Sequence, residues 1–365
     1  MRMKCTCTII FAVYFSMYIL ISNVIFVEAA DPLGPGRGPW VSEAPALHGL
    51  DPQKLSEARD DVFKIKGRNC FVVIKDGALV YESYGGLFES SETAHQGYSM
   101  TKTIGALIVG RAVAEGKLDI DADITTSYGI DSPRSYPVTT REIMSQAIAG
   151  THGPGEHWMY DAIGSKWVNL LTRIVKKAAG EKSSSIWQRA FHTPLGLSKG
   201  FKFTFPGIDE VFAFSSKGTC RDFARIGQLI LNRGRWAGYN GTIVDKAYID
   251  DMTTPQTRYG SYPDYANPMY GLLTWLNPHI NETAKYPGVS KLPPSAPISP
   301  DQEFPTHFPI DAAFLGGAFG QNVMILPSER MVAVSMGTSE SDIAGARIAQ
   351  TLANALCPMI PSCST

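Results

Sequence analysis

Strand-like runs near both ends of the chain, with helix-like runs between them, restrict this sequence to a domain whose sheet is assembled from its two termini. Residues 70–75 (CFVVIK) and 78–84 (ALVYESY) flank Asp76-Gly77, the strongest short hairpin signal. Asp51 and Pro52 open a helix just ahead of them. Helical patterning follows from near Ser99 and at 140–149, 165–179 and 221–232. Strands return at 270–276, 322–326 and 331–336, the last two joined by Pro327-Ser328-Glu329-Arg330, and a final helix covers 343–356. This order predicts an α/β part at about 50–96 and 262–356, interrupted by a mostly helical part at about 97–261. A cleft between the two is the natural place for a site.

With 365 residues, 44% hydrophobic and 18% charged, the chain can bury a sizeable core, so it is not a disordered protein. Its 33 Lys and Arg nearly cancel its 34 Asp and Glu, and no basic run breaks the balance. That excludes the electrostatic footprint of a nucleic-acid binder and favours a small or neutral substrate.

Arg2 and Lys4 precede an uncharged, mostly apolar stretch at 5–27, and small residues follow at Ala29 and Ala30. This predicts a secretory signal over 1–29, cleaved after Ala29 or kept as an anchor, since the stretch is long enough to span a bilayer. A membrane partner is expected only in the second case. The sequons at Asn240 and Asn281 are expected glycosylation sites in turn-like surroundings. Beyond the signal, Cys70, Cys220, Cys357 and Cys363 remain, and four cysteines allow three pairings. The short Pro-containing segment between Cys357 and Cys363 permits a local one. Residues 30–49, rich in Pro and Gly, read as a linker, and 357–365 as a tail. No C-x-x-C or H-x-x-x-H spacing suggests a metal.

Ser99-Met100-Thr101-Lys102 carries the chemistry, because a serine and a lysine three apart share one face of a helical turn and can act as nucleophile and base. Two fixed letters are weak alone. The following TIGALIVGRAVAE (103–115) strengthens them, with apolar Ile104, Leu107, Ile108 and Val113 marking a largely buried helix. The Gly-x-Ser-x-Gly elbow is not met around Ser99. His152 and His157 lie near Tyr160 but are not needed as a base while Lys102 is present.

Three further blocks follow in order: Pro154-Gly155-x-x-Trp158-x-Tyr160, then Thr219-x-Arg221-Asp222-x-Ala224-Arg225-x-Gly227-Gln228-Leu229, then Gly316-Gly317-x-x-Gly320-Gln321. Together with Ser99-x-x-Lys102, the series resembles the serine β-lactamase and penicillin-binding-protein superfamily, most of all its class C-like esterases and 6-aminohexanoate-dimer hydrolases. The resemblance runs over about 50–356. It implies an α+β fold of the β-lactamase/transpeptidase type, with an antiparallel sheet flanked by helices. It also implies that Ser99 forms an acyl-enzyme, that Lys102 and Tyr160 move protons, and that the backbone N–H groups of Ser99 and Gly317 form an oxyanion hole. Arg221, Asp222 and Arg225 are expected to support the fold by capping and ion pairs.

The family's Y-x-N becomes Tyr160-Asp161-Ala162, with Asp161 free to cap the next helix, and its K-T-G becomes Phe314-Leu315-Gly316. Loss of that lysine removes the anchor for a substrate carboxylate and argues against β-lactamase activity. An esterase or amidase taking a neutral or hydrophobic acyl substrate fits instead, with Phe314, Gly316 and Trp275 expected at the substrate and a Pro-rich loop at 277–309 over the cleft. No cofactor is required. The altered motifs leave a catalytically degenerate binding module as the alternative.

Overall fold

The computed structural model describes residues 31–86, 88–148, 158–203, 211–256, 270–277, 308–338 and 344–363. The expected signal, Asn281, the His152 and His157 pair, Pro154-Gly155 and nearly all of the Pro-rich loop lie outside these residues.

Helix α1 (Pro52–Phe63) begins with Pro52 in its first turn and with Asp51 as cap, whose side chain accepts from the Gln53 N–H. Strands β1 (Arg68–Lys75) and β2 (Ala78–Tyr84) form the expected hairpin, with Asp76 and Gly77 both at positive φ in its turn. Near the other end lie β6 (Trp275–Leu276), β7 (Ala313–Gly317), β8 (Gln321–Leu326) and β9 (Met331–Gly337). These six make one antiparallel sheet in the order β2-β1-β9-β8-β7-β6, so the terminal segments meet where β1 pairs with β9, Val72 opposite Val334.

Both faces of this sheet are covered, which is why β8 and β9 read as nearly continuous apolar runs instead of alternating ones. On one face Phe71, Val73, Met324 and Ala333 pack with Leu55, Ala58 and Val62 of α1 and with Leu352 and Leu356 of the C-terminal helix α7 (Ala344–Leu356). The other face, carrying Val72, Ile74, Val323 and Val334, packs against the helical part. There α2 (Met100–Ala114) is buried along nearly its whole length, joined by α3 (Thr140–Ser145), α4 (Leu170–Ala179), α5 (Cys220–Leu231) and α6 (Lys246–Met252).

A second sheet lacks any apolar signature. It consists of β3 (Ala94–Tyr98), β4 (Lys202–Phe203) and β5 (Ser216–Thr219) in the order β3-β5-β4, and it leads straight into α2 and α5. Sequence patterning does not reveal it, because AHQGY and SKGT are short and largely polar.

Other boundaries move for local reasons. The helix expected at 140–149 stops at Ser145, where Gln146 turns left-handed at φ 58°. The one expected from 165 begins at Leu170, because the Asp161 carboxylate takes the N–H groups of Lys166, Trp167 and Val168 as turns. The strand expected at 270–276 shrinks to two residues. Its chain folds back on itself, with the Gly271 N–H on the Thr274 carbonyl at 2.9 Å and Leu273 at φ 52°.

The Pro/Gly-rich stretch read as a linker is instead fastened to the domain from residue 31 onward. Arg225, in α5, donates to the carbonyls of Gly36, Gly38 and Leu195, and its guanidinium lies 5.5 Å from the Trp40 ring centroid. The Trp236 indole N–H also reaches the Gly36 carbonyl, and Gln228 reaches that of Pro32. Arg225 therefore works through carbonyls, not the expected ion pair. Arg221 does form one, with Glu82 of β2, and Thr219 with Asp222 forms the capping box of α5. Of the three possible cysteine pairings, the structure has Cys70–Cys220 and Cys357–Cys363.

Candidate active site

The site begins where β3 ends. Tyr98 adopts φ 47°, an uncommon backbone state for a bulky residue, and this turn delivers Ser99 to the start of α2. The Thr101 hydroxyl donates to the Tyr98 carbonyl at 2.6 Å and accepts from the Ser216 N–H at 2.9 Å, tying the turn to β5. The Tyr98 ring lies 4.9 Å from that of Phe319, another residue at positive φ, just past the end of β7.

One helical turn on, Lys102 is 1% exposed and points back at Ser99. Its Nζ donates to Ser99 Oγ at 3.2 Å, to the Ala162 carbonyl at 2.8 Å and to the Ala213 carbonyl at 2.9 Å, using all three protons of an ammonium. Gly105, on the same face, makes room for this arrangement: a Cβ there would lie 2.6 Å from the Phe212 ring, which stands beside Ala213. Burial pushes the Lys102 ammonium down to about 7, against a weaker opposing pull from Asp161.

Tyr160 completes the cluster. Its ring lies 4.8 Å from Lys102 Nζ, and its hydroxyl faces Ser99. Burial pushes the phenol up to about 12, the Ser99 contact opposes this and the Asp161 charge adds to it. The Asp161 carboxylate points away, onto the 166–168 turn, and so does not cap the helix as expected: the N-cap of α4 is Asn169.

Around Tyr160 stands an aromatic wall. Trp275 lies 5.3 Å away, Tyr270 6.1 Å and Trp158 6.3 Å between ring centroids. Phe314 is paired with Trp275 across β6 and β7 and stacks on it. Two residues on, Gly316 runs under the Trp275 indole, where an added Cβ would sit 3.1 Å from Cδ1. Gly317 approaches the end of β3 so closely that a Cβ on it would lie 2.4 Å from the Gly97 carbonyl oxygen.

Six of the residues singled out from sequence, Ser99, Lys102, Tyr160, Trp275, Phe314 and Gly317, thus come from four separate segments to one place, and Gly316 lies with them. Asn240 lies elsewhere, exposed in a turn before Gly241 at φ 82°. Sequence patterning misses Gln146, Tyr270 and the two carbonyls that hold Lys102, and nothing local in the sequence marks them. Among the described residues no group of His, Cys, Asp and Glu is arranged to hold a metal ion.

The fold recurs in solved structures of low sequence identity. A penicillin-binding-protein homologue from Caulobacter crescentus superposes with a TM-score of 0.64 at 14% identity, covering 86% of this chain and 99% of that one. A proposed 6-aminohexanoate-dimer hydrolase from Bacillus anthracis gives 0.63 at 17% identity, covering 91% and 90%. A family VIII carboxylesterase gives 0.61 at 16%, covering 85% and 98%. No curated protein matches the chain. The Beta-lactamase family model matches residues 70–356, a span that holds every member of the site just described, and the chain belongs to that family of hydrolases.

Proposed function

We propose that this protein is a secreted serine hydrolase that cleaves an ester or amide of a neutral or hydrophobic acid through an acyl-enzyme on Ser99. The observation that carries this reading is the Lys102 amine, 3.2 Å from Ser99 Oγ and held by burial at about 7. Near neutral pH a substantial fraction of such an amine is unprotonated and can accept the serine proton. Tyr160, at about 12, stays a phenol and can both give and receive a proton.

Ser99 Oγ attacks the acyl carbon while its proton passes to Lys102. Negative charge on the former carbonyl oxygen is met by the backbone N–H groups of Ser99, at the N-terminus of α2, and Gly317. Collapse breaks the bond to the leaving alcohol or amine, which takes a proton through Tyr160, replenished from Lys102. Water then attacks the acyl-enzyme, giving its proton back along the same pair, and Ser99 is restored as the acid departs. No cofactor enters this sequence.

The substrate class follows from Phe314 and the aromatic wall. Where related enzymes carry a lysine, this chain places an apolar ring stacked on Trp275, so a substrate carboxylate finds no cation there. A small-molecule partner with a flat or long apolar acyl group suits the surface. Two disulfides suit an oxidising compartment, as do the sequons at Asn240 and Asn281.

Intact mass after exposure to a fluorophosphonate and to activated esters tests this. A single adduct on the wild type that disappears in Ser99→Ala is expected. No adduct with any reagent would instead leave a β-lactamase-fold binding module.

A further inference from the structure

Gln146 is fully buried, one residue past the end of α3, and its left-handed backbone turns it toward the Tyr160 segment. Three hydrogen bonds join it to the Tyr160 segment and to Tyr270. Its carbonyl oxygen accepts from the Met159 N–H at 3.1 Å, its side-chain Oε1 accepts from the Asp161 N–H, and its Nε2 donates to the Tyr270 hydroxyl at 2.7 Å. The amide orientation is fixed by chemistry: a backbone N–H can only donate, so Oε1 must face Asp161 and the NH₂ group must face Tyr270.

These contacts straddle Tyr160. The peptides on either side of it hang from one residue, and Tyr270, oriented by that same side chain, meets the Tyr160 ring edge-on at 86°. Tyr270 also stands 4.6 Å from Trp275, so the amide sets both the phenol and one wall of the acyl surface. On the far side Ala162 is fastened independently through Lys102.

We propose that Gln146 is a positioning residue for proton transfer by Tyr160, a role that rests on the acyl-enzyme reading above. Without its side-chain amide, the Asp161 N–H and the Tyr270 hydroxyl lose their buried partners, and the phenol loses its aim at Ser99.

The test compares wild type, Gln146→Met, Tyr160→Phe and the double variant, using hydrolysis of a neutral aryl ester and the rate of fluorophosphonate labelling at Ser99. Gln146→Met should lower kcat at least tenfold with KM within about twofold, while labelling, which needs Ser99 and Lys102 but no proton for the departing fluoride, should change only a few-fold. In the Tyr160→Phe background the same change should have little further effect, because the hydroxyl it aims is already gone. Full-sized, additive losses would overturn the proposal, since they would mean Gln146 supports the fold and not the phenol. Tyr270→Phe, which removes one contact and no volume, supplies the same comparison if Gln146→Met does not fold. A reactive wild type with an unaffected Gln146→Met overturns the positioning role alone. A wild type that neither turns over nor labels overturns the hydrolase reading and this role with it.

Discussion

The ring of Phe314 stacks on the indole of Trp275, with centroids 6.4 Å apart and planes within 14°. Both side chains are buried, and the pair is set by strand register: Trp275 faces Phe314 directly across β6 and β7. Cross-strand aromatic pairs are a stable unit of sheet structure, so this wall is built in and not induced by a ligand.

Phe314→Lys should therefore change which substrates are accepted. An ammonium beside the Trp275 face is tolerable through its attraction to the indole, and it offers a carboxylate a charge-assisted partner. The ratio of kcat/KM for a neutral aryl ester to that for the same ester with a free carboxylate should fall by about tenfold or more, roughly 1.4 kcal/mol. An unchanged ratio would place the acyl group away from this wall.

The pH dependence of labelling should report Lys102. The labelling rate should rise with pH through a midpoint at about 7 as the amine loses its proton. Because Tyr160 is held near 12, the rate should stay level beyond pH 10. A midpoint near the ordinary lysine value would remove Lys102 from the role of base.

Stability carries the same signature with a definite sign. The folded protein releases the Lys102 proton at about 7, whereas the unfolded chain holds it up to roughly 10.4, so in that window the unfolded state binds more protons. The contribution of this group to stability is thus lowest below pH 7 and rises as pH increases toward 10. Relative to wild type, Lys102→Met should gain most in Tm near pH 6 and least near pH 9. A Tm difference that does not vary with pH would show that the amine is not buried in its charged form.

Much of this architecture is legible in the chain because it is local. Asp76-Gly77 specifies its own turn, and Ser99 and Lys102 meet because three residues make one helical turn. β8 and β9 are visible because burial on both faces leaves them almost wholly apolar. What escapes the sequence is fixed by distant parts of the chain. β3 and β5 are strands because they pair with each other, not because AHQGY or SKGT prefer to be extended. Residues 31–40 look like a linker until Arg225 is seen to bind their carbonyls. Gln146 reads as an ordinary polar residue at a helix end, and only the return of residues 158–161 and of Tyr270 gives its side chain partners.

The Cys70–Cys220 bond joins β1 to the first residue of α5 across 150 residues of sequence. A loop of that length restricts the unfolded chain strongly, so its removal should cost about 2–5 kcal/mol. The double variant Cys70→Ala/Cys220→Ala should melt several degrees lower than wild type in the absence of reductant. In reductant strong enough to open the bond, the two curves should approach each other. Equal stability without reductant would show that the bond does not form in solution.

Gly317 offers the sharpest steric test of the oxyanion assignment. Its backbone lies against the end of β3, two residues before Ser99, and a Cβ would come within 2.4 Å of the Gly97 carbonyl oxygen. Neither partner is a flexible side chain, so Gly317→Ala must push the end of β7 away from the strand that leads into Ser99. Loss of a well-placed oxyanion donor costs about 10²–10³ in kcat, and a fall of that size is expected, with KM changing much less. Gly316→Ala is the matched control. Its Cβ would meet the Trp275 ring at 3.1 Å, a contact that a small shift of the indole relieves, so acylation of Ser99 by a small reagent should change only a few-fold. If the two alanine variants label at similar rates, the Gly317 N–H does not serve the developing oxyanion, and the second donor must come from another part of the cleft.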